Sequence, residues 1–99
     1  MRRGEYFAAH EELELAWRAA EAEERDFYQG LVHVTVAWYQ AQRRNRNGCV
    51  RQLEKAERRL ARYAPEHRGV DVRNVLQQVR AAAGRVEAES LDLPPLELP

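Results

Sequence analysis

Phe27-Tyr28-Gln29-Gly30-Leu31-Val32-His33-Val34-Thr35-Val36-Ala37-Trp38-Tyr39-Gln40 is the stretch that decides the fold. Projected at ~100° per residue, Phe27, Tyr28, Leu31, Val32, Val34, Trp38 and Tyr39 spread over most of a helical circumference. A helix apolar nearly all round is one that other helices surround, so this segment predicts the central helix of a bundle. Gln29, His33 and Gln40 interrupt the apolar surface as one narrow polar stripe. Gly30, beside Gln29, marks a point where another backbone or a ligand can approach closely, because it carries no Cβ.

Downstream, Asn45-Arg46-Asn47-Gly48 reads as a turn and Pro65-Glu66-His67-Arg68-Gly69 as a second break, after which Asp71 can cap a further helix. The last helix is the cleanest: Val72, Val75, Leu76, Val79, Ala83 and Val86 form one stripe, opposite Arg73, Gln77, Arg80 and Gly84. Upstream, helical periodicity runs unbroken from residue 5 to 43. At ~1.5 Å per residue that tract would span roughly 58 Å, against a radius of gyration near ~13 Å for a compact chain of this size. Compactness therefore predicts a break at Glu21 to Glu24. Glycine and proline are absent there, so a continuous helix in a coiled-coil dimer is the alternative. The expected fold is all-α, a compact antiparallel bundle of about four helices (5–20, 24–43, 48–63 and 71–89). Residues 1–90 form one domain, and a proline-rich tail over 91–99 is extended or disordered, since proline cannot continue a helix.

Composition agrees with a folded domain: 44% of the 99 residues are apolar and 32% charged, enough to build one core and solvate its surface. Net charge is zero, which removes a whole-molecule electrostatic case for nucleic acid or membrane. Met1-Arg2-Arg3-Gly4 leads into no apolar run of the kind a secretory signal or membrane span needs, and the lone Cys49 offers neither an internal disulfide nor a thiolate cluster for metal. A reducing, cytoplasmic setting is the expectation.

On the first helix Tyr6, Phe7, Leu13, Trp17 and Ala20 share one side, and His10 and Glu14 fall within the same arc. Spaced i, i+4, the imidazole and carboxylate can pair or share a ligand. Two chemistries suit that geometry. One is a satisfied buried or half-buried pair, with Gln29 or His33 as a further partner, because buried polar groups need hydrogen bonds. The other is a divalent-metal or acid/base site at His10 and Glu14, completed by His33. The string His10-Glu11-Glu12-Leu13-Glu14 is similar to the zinc-protease pattern with its second His replaced by Glu, a replacement that removes one ligand. No motif demands a cofactor; a divalent metal is the cofactor the second chemistry would use.

The strings Tyr6-Phe7-Ala8-Ala9-His10-Glu11-Glu12-Leu13-Glu14-Leu15-Ala16-Trp17 and Phe27-Tyr28-Gln29-Gly30-Leu31-Val32 come first. With the run Asn47 to Leu60 and Gly69-Val70-Asp71-Val72, the chain resembles the bacterial domain-of-unknown-function family 309 up to about residue 87. The most specific pieces are His10, Glu11, Glu14 and Trp17, and the pair Gln29-Gly30. The resemblance implies a small helical bundle and no established activity. His33 departs from the apolar or Gln residue that the resemblance leads one to expect.

Charge is distributed unevenly: residues 5–26 hold eight acidic and two basic side chains, and residues 43–62 hold eight basic and two acidic. Arg51, Lys55, Arg58, Arg59 and Arg62 share a face opposite Leu53, Ala56, Leu60 and Tyr63. This face is either a solvated surface, partly neutralised by Glu54, Glu57 and the acidic first helix, or a contact surface for nucleic acid or an acidic partner. No nucleophile elbow, phosphate-binding loop or cysteine cluster is present. The functional expectation is a non-enzymatic module that forms a homo-oligomer or binds a protein partner, with the His10/Glu14 site and nucleic-acid binding through the basic face as alternatives.

Overall fold

A computed structural model describes residues 5–98 as four helices, α1 (Glu5–Ala19), α2 (Ala22–Gln42), α3 (Arg46–Leu60) and α4 (Val72–Glu87), with a 3-10 turn over Ala61–Tyr63. No strand occurs among the described residues, and Met1–Gly4, read above for targeting, lie outside them. The all-α bundle predicted from periodicity is what forms, with a radius of gyration of 12.5 Å.

The long first tract does break, at the head of the window that compactness predicts. Glu21 is extended (φ −63°, ψ 156°), and α2 begins at Ala22 rather than residue 24. The chain reverses there and α1 packs back on α2, bringing Phe7 within 5.8 Å of the Tyr39 ring, which settles the choice between a hairpin and one continuous helix. The next junction differs from its sequence reading. Asn45 is the N-cap of α3, its side-chain oxygen accepting the Gly48 N–H at 3.0 Å, so Asn45 to Gly48 is the first turn of a helix. The chain turns one step earlier, at Arg43 and Arg44, the latter with φ 61°. Before α4, Arg68 (φ 48°) and Gly69 (φ 76°) make a tight turn closed by reciprocal His67 and Val70 backbone bonds. Asp71 then caps α4 as predicted, accepting the Asn74 N–H at 2.9 Å.

α2 is the central helix, burying Phe27, Leu31, Val34, Trp38 and Ala41. α3 packs antiparallel to it through Cys49, Leu53, Ala56 and Leu60, and α4 leans on α3 through Val72, Val75, Leu76 and Val79. Ala82, not the predicted Ala83, completes the α4 stripe, and Ala83 is exposed. The largest departure is α1. Of the side predicted to face inward only Tyr6 is fully buried, while Phe7 is 48% exposed, because α1 lies at the edge of the bundle with only one helix beneath it.

Residues 91–98 carry no helix or strand, yet they lie on the bundle rather than away from it. Leu96 is fully buried, which contributes on the order of 1.5–3 kcal/mol. The hydrophobic core thus extends past Ser90 into the proline-rich segment.

Candidate functional site

The candidate residues singled out in the sequence lie on α1, α2 and α3 and at the 3-10 turn that follows α3. On α1, His10 Nε2 and Glu14 Oε1 stand 3.2 Å apart, with 23% and 38% of their side chains exposed. The pair therefore sits half-buried at a rim instead of inside the core. Phe7 stacks at a tilt on His10, with ring centroids 5.7 Å apart. Tyr6, Phe7 and His10 with Val36, Tyr39 and Gln40 of α2 enclose a notch of about 120 Å³. Ligand cavities for small molecules generally run to about 300–1,000 Å³, so this notch holds one side chain and no ordinary substrate.

Beside the notch, Gln29, His33, Val36 and Gln40 follow one another along α2 as a half-buried line between α1 and α3. His33 turns to α3, its Nδ1 donating to Gln52 Oε1 at 2.7 Å. The neutral ring then keeps a buried Nε2 lone pair with no hydrogen-bond partner. Burial lowers the His33 pKa, the nearby cations Arg59, Lys55 and Arg58 lower it further, and the Gln52 bond opposes them. Gln40 accepts from Asn45. Gly30 serves the second helix rather than a ligand: a Cβ there would lie 2.6 Å from Leu60 Cγ of α3.

The basic face divides into two halves. Arg59 and Arg62 both reach Asp26 of α2, at 2.7 and 3.5 Å, so the neutralising carboxylate comes from α2 and not from α1 as expected. Arg51, Lys55 and Arg58 form no ion pair among the described residues, and the charges of Lys55 and Arg58 reach His33 from the α3 side. A larger concavity, about 500 Å³ between α3 and α4, is floored by Val50, Leu53, Val79 and Ala83 and contains none of the candidate residues above.

Residues 1–52 match the profile of a domain of unknown function, DUF309, and the match spans α1, α2 and the first half of α3. The chain belongs to the DUF309 family. The matched region thus contains the notch, the stripe and Gln52, whereas most of the α3 basic face and all of α4 lie beyond it. No curated protein and no solved structure matches this DUF309 chain.

Within this DUF309 fold the candidates are only partly brought together. His10 and Glu14 meet, while His33 pairs with Gln52 instead of joining them. Among the described residues no three His, Cys, Asp or Glu side chains gather in a geometry that could hold a metal ion. Glu11 is exposed and Trp17 half-buried on α1, and Gln29 lies one turn from His33 on the stripe.

Two clusters escaped the sequence reading. Glu24 of α2 receives His67 Nε2 at 2.5 Å and Arg68 Nε at 3.0 Å, and the His67 ring rests against Phe27 and Tyr63. Hydrogen bonding to His67 is the main cause holding the Glu24 carboxyl below its usual range, with Arg68 adding to it. This cluster fastens the α3–α4 loop to α2. The second is the cradle around residues 94–97, built by Tyr6, Trp38 and Gln78. Contacts across 43 and 90 residues of chain leave no local signal.

Proposed function

We propose that this DUF309 chain is a non-catalytic self-associating module, and that the face formed by α1, the α2 stripe and α3 is its docking surface. The observation that carries the reading is the pairing of opposite charge on its two flanks. Helical projection places Phe7 and Glu14 next to His10 at the lip of the notch, with Arg18 and Glu11 following round α1 toward solvent. Across the stripe stand Lys55 and Arg58, whose charges reach His33, with Arg51 next to them on the exposed face of α3. A two-fold axis over the stripe sets each acidic flank against the partner's basic flank, which is the self-complementarity a closed dimer requires. Phe7, 48% exposed at the lip of the notch, supplies an apolar anchor, and the side-chain-sized notch supplies a socket for the partner's.

Sedimentation velocity over a concentration series tests this directly. The wild-type chain should form a dimer that weakens as salt rises, since exposed charge pairs are screened within about 8–10 Å at ordinary ionic strength. Arg51→Glu with Arg58→Glu should give a monomer, and so should Glu11→Arg with Glu14→Arg. Mixing the two variants should restore a dimer containing one of each. A wild-type chain that stays monomeric at every concentration, or a dimer indifferent to both reversals, would overturn the reading.

A further inference from the structure

Trp38 projects from α2 about 200° round from Val36, on the side away from the docking stripe, and there it takes part in a second arrangement. Its indole Nε1–H donates to the carbonyl oxygen of Pro94 at 2.8 Å. The Tyr6 hydroxyl of α1 accepts the Leu96 N–H at 3.0 Å. Gln78 of α4 clamps Glu97 from both sides, its Nε2 donating to the Glu97 carbonyl at 2.7 Å and its Oε1 accepting the Glu97 N–H at 2.9 Å. All four bonds end on the backbone of the tail. Leu96 is the one fully buried side chain among the tail's described residues.

Backbone-directed bonds from an indole, a phenol and an amide, one apolar anchor, and prolines that hold the strand extended before it binds are how grooves capture proline-rich segments. The tail also underfills its groove. On one side of Trp38 a cavity of about 230 Å³ opens beside Arg44 and Leu93, and on the other a cavity of about 250 Å³ opens beside Asn74 and Pro95. We infer that the groove formed by Tyr6, Trp38 and Gln78 is a receptor for an extended, proline-containing segment of another polypeptide, and that the chain's own residues 91–98 occupy it as an autoinhibitory ligand. The fitting segment follows the tail's pattern, Leu-Pro-Pro-Leu, with bulkier side chains at the places of Leu93 and Pro95 that fill the two cavities. A tethered ligand competes at an effective concentration in the millimolar range, so a free segment binds well only once the tail has let go.

Fluorescence anisotropy on the full-length protein provides the test, using a labelled peptide with the sequence of residues 90–98. Leu96→Asp should release the tail, because an unpaired carboxylate is costly to bury, and the variant should bind the peptide at least roughly tenfold more tightly than wild type. Adding Gln78→Ala should return binding to the wild-type level by removing the clamp. Should Leu96→Asp lose its helical circular dichroism, Leu96→Ala takes its place with a smaller gain. Amide exchange on the wild-type chain gives a second readout: at millimolar peptide the Leu96 and Glu97 amides should lose protection while the Trp38 indole N–H stays protected. Equal peptide affinity in the wild-type and released chains, or tail protection unmoved by peptide, would overturn the inference.

Discussion

Gly30 of α2 and Leu60 of α3 touch so closely that a single added carbon at Gly30 would stand 2.6 Å from Leu60 Cγ and 2.7 Å from its Cδ2. Leu60 is fully buried, so it has no free space into which to swing. Gly30→Ala gains about 1 kcal/mol in helix propensity but incurs an overpacking cost of about 1–3 kcal/mol, for a net loss of up to about 2 kcal/mol. Gly84 offers the control: nothing lies within 4 Å of the Cβ it would acquire, and Gly84→Ala should stabilise by roughly 0.8–1 kcal/mol. Urea unfolding of the two variants should therefore move in opposite directions. A shared direction would show that helix propensity, not the α2–α3 contact, governs both sites.

Much of the bundle was legible because its signals are local. The stripe Val72, Val75, Leu76 and Val79 declares its own helix, and Asp71 declares where it starts. Asn45 misled because Asn and Gly both favour turns. Only the structure shows the Asn side chain closing on the Gly48 N–H as a cap. The amphipathic face of α1 was legible too, but its burial was not: five apolar positions on one side predict an inward face, and only the edge placement of α1 leaves Phe7 half in solvent. The candidate site was legible where its partners are one turn apart, as His10 and Glu14 are. It was illegible where they come from different helices. Gln52 lies 19 residues from His33, and Tyr6 lies 90 from Leu96, separations over which periodicity carries no information.

His33 makes the central helix sensitive to mild acid. Burial, then the charges of Arg59, Lys55 and Arg58, places its folded pKa below the ordinary 6.5, so the unfolded chain takes up this proton first as pH falls. The associated stability is present in full above 6.5, declines as pH drops through the window between 6.5 and the lower folded value, and changes no further beneath it. His33→Gln should flatten that part of the profile: the wild-type urea midpoint falls as pH drops below 6.5, and the variant's falls less over the same window. An NMR titration placing the His33 midpoint at or above 6.5 would contradict the assignment.

Cys49 is fully enclosed, and burial pushes its thiol up to about 11. The thiolate that attacks disulfide reagents is therefore scarce at pH 8 as well as inaccessible. Native protein should leave an aromatic disulfide reagent unconsumed over the time in which unfolded protein reacts completely. Adding urea should raise the rate in step with the unfolded fraction. Fast reaction without denaturant would mean that the α2–α3 seam opens locally. Cys49→Ser should cost about 1–3 kcal/mol, because a hydroxyl in this pocket needs a hydrogen-bond partner that the thiol does not.

Glu24 ties the α3–α4 loop to α2 by accepting from His67 and Arg68 together, and its stabilising effect must fade in acid. Its carboxyl is held below the ordinary 4.5, chiefly by the His67 bond, so the unfolded chain binds the proton at a higher pH than the folded one. The contribution is whole above 4.5 and disappears as pH falls through the folded value. Glu24→Gln should consequently lower the melting temperature near neutral pH, and the gap between variant and wild type should narrow as pH falls below 4.5 and through the lower folded value. Amide exchange localises the effect: Val70 and His67, whose backbone groups bond each other across the turn, should lose protection in the variant before the centre of α2 does. If the gap persisted unchanged into acid, the carboxylate would be acting through packing alone, and the ionic tie between loop and helix would have to be abandoned.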